Sequence, residues 1–226
     1  MSPLPANVTV SNHPCLKVKL SQLRSATCSP KQTRALVKEI SLLLACDALR
    51  SVLSVEEEGM DITPLGAEYP VETVSPKRIA LIPILRSGLA MVEAFETILP
   101  ENVPVYHLGL FREKTTLHPV EYYNNLPTGT ANNASSCDVA IILDPVIATG
   151  GTAEAAIQTL RDWGVGKILV VSVLASDQGL RRAATESGGA GIQVFVGGVD
   201  QKLESKGMIY PGIGDIGDRL FLTIGK

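Results

Sequence analysis

From Lys77 onward, short and almost unbroken apolar runs alternate with amphipathic segments, and that alternation narrows the possible architecture more than any other feature. Runs over 79–84, 103–111, 139–143, 168–174 and 192–196 are rich in Val, Ile and Leu. Segments over 88–98, 152–163 and 177–186 carry their apolar residues at helical spacing. Strands without polar alternation are buried on both faces, the condition of a parallel sheet sandwiched by helices. A unit such as 139–174 is expected to cross over right-handed. Upstream, Ser29 before Pro30 opens a helix with Leu36, Ile40, Leu43 and Leu44 on one face, ending near Arg50. Residues 1–14 are expected to be irregular, broken by Pro3, Pro5 and Pro14, and 59–76 to hold one or two short strands. The expectation is an α/β fold in one domain over 1–226. It has a helical N-terminal extension (1–76), a core (77–200) and a C-terminal segment (201–226).

Composition agrees. The 226 residues are 45% apolar and 19% charged, enough to bury a core. Lys and Arg number 20 against 23 Asp and Glu, a net charge of −3 that speaks against a surface built to grip nucleic acid. Cys15, Cys28, Cys46 and Cys137 form no C-x-x-C pair, and His13, His107 and His118 show no zinc spacing. MSPLPANVTV has no basic region leading into an apolar one, and no apolar run approaches the ~20 residues of a membrane span. The expectation is a cytoplasmic protein with reduced thiols, no membrane and no nucleic-acid partner.

In such sheets ligands bind beyond the carboxyl ends of the strands. After 139–143 come Asp144, Pro145, Val146, Ile147, Ala148, Thr149, Gly150, Gly151 and Thr152, then a helix striped by Ala153, Ala156, Ile157 and Leu160. A small Gly-rich turn opening a helix aims several backbone N–H groups at one point, helped by the helix dipole. That suits one phosphate monoester, with hydroxyls of Thr149 and Thr152 in support. No Gly-Lys-Ser/Thr follows, so this is no Walker loop. Asp144 stands where it could accept from two vicinal ribose hydroxyls. The plainer reading, capping by Asp144 and Thr152, is disfavoured by the order strand, acid, turn, helix.

The context IILDPVIATGGT resembles the phosphoribosyl pyrophosphate loop of type I phosphoribosyltransferases, specifically the uracil branch, where Leu143 before the acid also fits. PILRSGLAM is similar to that family's pyrophosphate loop, which implies phosphoribosyl pyrophosphate contacts for Arg86, Ser87 and Gly88. FREKTTLHPVEYYNNLP resembles its flexible arm (about 112–137), which implies that Arg112, assisted by Lys114, meets the pyrophosphate. Glu121, Tyr122 and Tyr123 then read as arm packing or interface, and 128–137 as a variable insertion.

The C-terminal YPGIGDIGDRLF contains a formal G-x-G-x-x-G at Gly212, Gly214 and Gly217, but nine residues remain after Gly217, too few for a dinucleotide βαβ unit. It is similar instead to the uracil-binding signature. Uracil presents acceptor, donor, acceptor on its O2, N3 and O4 edge, a pattern that main-chain groups can match where no Cβ blocks approach. Carried over by position, Ile209, Tyr210, Gly214, Asp215 and Ile216 would read the base, and Asp215 would also face the ribosyl pyrophosphate. Two departures stand out: Leu222 replaces a common glycine, and Ser176-Asp177 replaces a common Ala-Pro. Both fall outside the positions assigned to the pocket.

The resemblance covers about His13 to the C-terminus. It implies a type I phosphoribosyltransferase fold with a small C-terminal hood. The implied activity, one of pyrimidine salvage, transfers the 5-phosphoribosyl group from phosphoribosyl pyrophosphate to uracil N1, giving UMP and pyrophosphate. Asp144, Arg112 and Asp215 are the catalytic candidates. Mg²⁺ is the implied cofactor, held mainly by substrate oxygens and water with no direct protein ligand, and GTP binding and a homodimer or homotetramer are implied as well. The alternatives are a non-catalytic or regulatory protein that binds the pyrimidine or the sugar diphosphate, and a purine-specific relative. The acidic balance disfavours an RNA-binding regulator, and the C-terminal signature disfavours a purine.

Overall fold

The computed structural model describes residues 3–112, 119–127, 137–205 and 207–223, with only the main chain at 112 and 119. In chain order the elements are β1 (Val8–Val10), α1 (Pro14–Leu23), α2 (Pro30–Leu49), β2 (Ser54–Ile62), β3 (Glu68–Ser75), β4 (Ile79–Leu85), α3 (Leu89–Ile98), β5 (Leu108–Arg112) and β6 (Pro119–Asn124). There follow β7 (Val139–Leu143), β8 (Val146–Ile147), α4 (Gly151–Asp162), β9 (Lys167–Ser172), β10 (Leu174–Ser176), α5 (Asp177–Thr185) and β11 (Ile192–Val196). Last come β12 (Val199–Asp200), β13 (Lys202–Leu203), β14 (Ile209–Tyr210) and α6 (Ile216–Phe221).

The apolar runs become the inner strands of a seven-stranded sheet ordered β1-β11-β9-β7-β4-β5-β6. Every neighbouring pair is parallel except β5 with β6. Successive side chains of a strand go to opposite faces, so each run feeds two cores. Ile79, Leu81, Ile141, Leu143, Leu169 and Val171 pack with α1, α2, α3 and α6 on one face. Ala80, Ile82, Ile142, Ile168 and Val170 pack with α4 and α5 on the other. The fold is the expected α/β sandwich.

The helix expected at Ser29 begins there for the expected reason. Pro30 occupies its first turn, the Gln32 N–H donates to Ser29 Oγ at 3.3 Å, and the Ser29 N–H donates to Gln32 Oε1 at 2.9 Å. Ile40 and Leu44 are fully buried. Residues 1–14 are not irregular throughout. Val8–Val10 pair parallel with 194–196 at the sheet's edge, and Pro14 starts α1. The prolines fall outside that strand, and an edge tolerates a short one. The expected strand over 103–111 is regular only from Leu108. Before it, Pro104 breaks the ladder, leaving one bridge between Leu81 and Val105. The stretch 59–76, expected to hold one or two short strands, belongs to a two-stranded antiparallel hairpin, β2 with β3, that already begins at Ser54.

Candidate active site

Asp144 extends β7 by one residue. It is 7% exposed, and its N–H donates to Val171 O on β9 at 3.2 Å. The Pro145 carbonyl accepts from the Val173 and Leu174 N–H groups at 3.1 and 3.0 Å, and β8 pairs with β10, so the loop is strapped to the next crossover. Gly150 then turns the chain with φ 83°, a conformation that suits glycine. Helix α4 starts at Gly151 with no side-chain cap, leaving its first N–H groups for a ligand at the positive end of the dipole. Thr149 and Thr152 are half-buried beside them.

The turn after β4 likewise joins a strand end to a helix start, with Gly88 in the right-handed region, and lies against the first. A Cβ on Gly88 would sit 2.2 Å from Leu143 O and 2.6 Å from the Ile84 N, so only glycine lets α3 begin this close to the end of β7. The Leu85–Arg86 peptide is cis. Arg86 is exposed and reaches the C-terminal segment. Its guanidinium stands 5.8 Å from the Phe221 ring centre, donates to Thr223 Oγ1 at 3.4 Å, and lies 3.9 Å from Asp218 Oδ1. The position of a Cβ on Gly217 would be 3.9 Å from Arg86 Nη2 and 3.3 Å from Asp215 Oδ1. The pyrophosphate-type turn therefore touches the acid-bearing strand end on one side and the glycine-rich C-terminal turn on the other.

That C-terminal turn is held from behind. Arg24, the residue capping the C-terminus of α1, donates to both carboxylate oxygens of Asp200 at 2.8 Å and to Gly212 O at 2.8 Å. Asp200, 8% exposed, also accepts from the Gly212 N–H at 2.9 Å. Arg219 donates to the carbonyls of Leu23, Ile213 and Ser25 at 2.8, 2.7 and 3.1 Å. The side chains of Ile209 and Ile216 are buried, whereas Gly214, Asp215 and Tyr210 are exposed. What 214–216 offers outward is therefore main chain together with the Asp215 side chain. Asp215 Oδ1 is engaged locally, accepting from the Asp218 N–H at 3.0 Å as the N-cap of α6.

Arg112 ends β5, three residues beyond the Leu85–Gly109 pairing, so its main chain is on the same rim. Lys114, the arm's tip and 128–136 lie outside the described residues. Within the arm, 119–124 form β6, antiparallel to β5, with Tyr122 and Tyr123 exposed. Among the described residues no group of three His, Cys, Asp or Glu stands together as metal ligands, and no helix is long and apolar enough to cross a membrane. A separate hollow of about 700 Å³ lies at the opposite end of the sheet among Ser51, Ser75, Arg78, Asp138 and Lys167. Its Arg78 is paired with Asp138, which raises the guanidinium's pKa, and it is remote from the strand ends that carry the loops.

Sequence reasoning did not find Arg24, Asp200, Asp218 or Thr223, because partners up to 188 residues apart leave no local pattern. The two departures from the family pattern, both expected outside the pocket positions, differ in their surroundings. Leu222 is the C-cap of α6, in the left-handed region at φ 56°, which is why glycine is usual there. Ser176 touches the phosphate-type loop itself, donating to Ala148 O.

Comparison with known proteins agrees with this geometry. Residues 10–223 match the family described as Uracil phosphoribosyltransferase. The urg2 protein of Schizosaccharomyces pombe is 43% identical over 216 residues, covering 96% of this chain and 90% of that protein. A uracil phosphoribosyltransferase of Roseiflexus castenholzii is 40% identical over 216 residues, covering 96% and 98%. The solved structure of the AQ2163 protein from Aquifex aeolicus superposes with a TM-score of 0.84 at 33% identity, covering 96% and 98%. Turns at the strand ends and near full-length similarity lead to one placement: this chain belongs to the uracil phosphoribosyltransferase family.

Proposed function

We propose that the protein transfers the 5-phosphoribosyl group of phosphoribosyl pyrophosphate to uracil, forming the bond from uracil N1 to ribose C1 as the C1–O bond to pyrophosphate breaks. The observation that carries this reading is the meeting of three sequence-distant turns: Gly88 against Leu143 O beside Asp144, and Arg86 against Gly217 and Thr223. Each turn supplies a different recognition. The N–H groups and hydroxyls of 149–152 would hold the 5′-phosphate, and the buried Asp144 carboxylate would fix the ribose hydroxyls. Arg86, Ser87 and Gly88 would meet the diphosphate, joined by Arg112. The Arg86–Asp218 contact is long, with side chains 53% and 31% exposed, so it is weak enough for Arg86 to exchange it for a diphosphate.

The base would be read by the main chain at Ile209 and 214–216, with Tyr210 at the edge. Cytosine has a lone pair where uracil has N3–H, so main-chain groups would be left unpaired against it, a form of rejection that can reach about 10⁴–10⁵. No covalent nucleophile is required. Positioning and electrostatics would carry the acceleration. The donor chemistry at this rim fits Mg²⁺ borne on substrate oxygens and water, with Asp215 and Asp144 as the carboxylates able to accept from that water. Bound there, the ion would offset negative charge on the leaving group. The apolar residues exposed on the β2–β3 hairpin, Val55, Met60, Ile62 and Leu65, support the further reading that the protein self-associates as a homodimer or homotetramer.

The test is to incubate the protein with phosphoribosyl pyrophosphate, Mg²⁺ and each nucleobase in turn. UMP and pyrophosphate should form with uracil alone. Release with hypoxanthine but not uracil, or binding of both substrates without turnover, would overturn the proposal.

A further inference from the structure

The phosphate-type loop has a back as well as a front, and its back rests on the first turn of α5. A Cβ on Gly179 would lie 2.4 Å from Ala148 O and 3.0 Å from Ile147 O, so the two segments are in main-chain contact. Between them stands Ser176, 1% exposed. Its Oγ accepts from the Gly179 N–H at 2.8 Å, capping α5, and donates to Ala148 O. The family's common alanine at this position could make neither bond. A few residues on, Arg182 pairs with Glu154 of α4, which holds its guanidinium pKa above the ordinary value and ties the two helices together.

The bond to Ala148 O has a consequence one atom group away. The Ala148 carbonyl and the Thr149 N–H belong to the same rigid peptide plane and point in opposite directions. Fixing that carbonyl toward Ser176 fixes the Thr149 N–H away from it, toward the side of the loop proposed to hold the 5′-phosphate. We infer that Ser176 is a positioning residue for phosphate recognition: its buried hydroxyl anchors the Ala148 carbonyl and so presets the Thr149 N–H that faces the sugar 5′-phosphate. This rests on the function proposed above. An alanine there would leave the plane to be ordered by the ligand.

The test compares Ser176→Ala, Ser176→Thr and Arg181→Ala with wild type. It measures the KM of phosphoribosyl pyrophosphate, kcat, the KM of uracil at saturating sugar diphosphate, the Kd of ribose 5-phosphate by calorimetry, and Tm. Losing one anchoring hydrogen bond should raise the sugar-diphosphate KM and the ribose 5-phosphate Kd of Ser176→Ala about three- to tenfold. Its kcat and uracil KM should stay within about twofold, the signature of lost ground-state binding. Ser176→Thr keeps the hydroxyl and should bind as wild type. Arg181→Ala removes the Asp177 partner on the same helix, and should lower Tm without moving either binding constant. A Ser176→Ala protein that loses stability yet binds ribose 5-phosphate as wild type does would overturn the inference, leaving Ser176 a helix cap only. Should Ser176→Ala fail to fold, Ser176→Cys, of similar size but a weak donor, carries the same comparison, and wild-type affinity there would also overturn it. A wild-type protein that binds no ribose 5-phosphate and makes no UMP would instead strike the proposed function, and the inference with it.

Discussion

At the scale of single residues, environment separates the roles. Asp144 is buried at a strand end, where its carboxylate would orient the ribose hydroxyls. Asp144→Asn keeps the shape and loses the charge, so kcat/KM should fall about 10- to 100-fold while Tm barely moves, the magnitude of charge-assisted hydrogen bonds. Steady-state kinetics beside a thermal melt would check this. Arg112→Ala should mainly raise the KM of the sugar diphosphate, leaving that of uracil in place, which a two-substrate kinetic matrix reads directly. Leu222 holds a positive φ without being glycine and exposes its side chain. Leu222→Gly relieves about 1 kcal/mol of left-handed cost against some added freedom of the unfolded chain, so Tm should rise by about 1–3 °C. The residues of the turns at 86–88 and 144–152 were legible because each turn follows an apolar run, whereas those of 209–216 were legible through a resemblance. The cost at Leu222 was legible only as a mismatch with a pattern, since φ is not written in a side chain.

At the scale of elements, α2 to α5 announced themselves by period, and α2 also by its Ser29 cap, whereas the seat of the glycine-rich C-terminal turn did not. Arg24 sits beyond a ten-residue helix that sequence periodicity did not single out. Its target Asp200 ends a two-residue strand. Arg24→Ala leaves a buried carboxylate with only the Gly212 N–H, so it should destabilise the protein by about 3–5 kcal/mol. Under conditions where it remains folded, it should raise the KM of uracil more than that of the sugar diphosphate. Chemical denaturation and kinetics together measure both parts. The edge strands β1 and β6 were missed because a short strand paired on one side needs no long apolar run. Their register comes from β11 and β5, not from their own composition.

At the scale of the whole molecule, the sandwich was legible because parallel strands buried on both faces need continuous apolar runs, and the two clusters share each run residue by residue. The hollow at the far end of the sheet has a testable chemistry of its own. Cys137 is buried there, and its thiol pKa is pushed up from an ordinary 9.0 to about 11, first by burial and then by the Asp138 charge, with Arg78 opposing. A folded-state value above the unfolded one stabilises the fold below pH about 9, and that contribution fades as pH climbs to about 11. Cys137→Ala should therefore flatten the alkaline decline in stability followed by denaturant midpoint. At neutral pH the exposed Cys15 and Cys46 should alkylate in the native protein while Cys137 resists until unfolding, which intact mass would show.

The arginine clamp joins two distant stretches of the polypeptide: the donor Arg24 is made first, and its acceptors Asp200 and Gly212 are made 176 and 188 residues later. During synthesis the turns proposed to hold the pentose phosphate can therefore be complete while the proposed nucleobase seat does not yet exist. On the proposed function, a ribosome-released fragment ending near residue 200 would carry the turns assigned to the phosphates and lack the one assigned to the base, so selectivity would be acquired after the grip on the sugar.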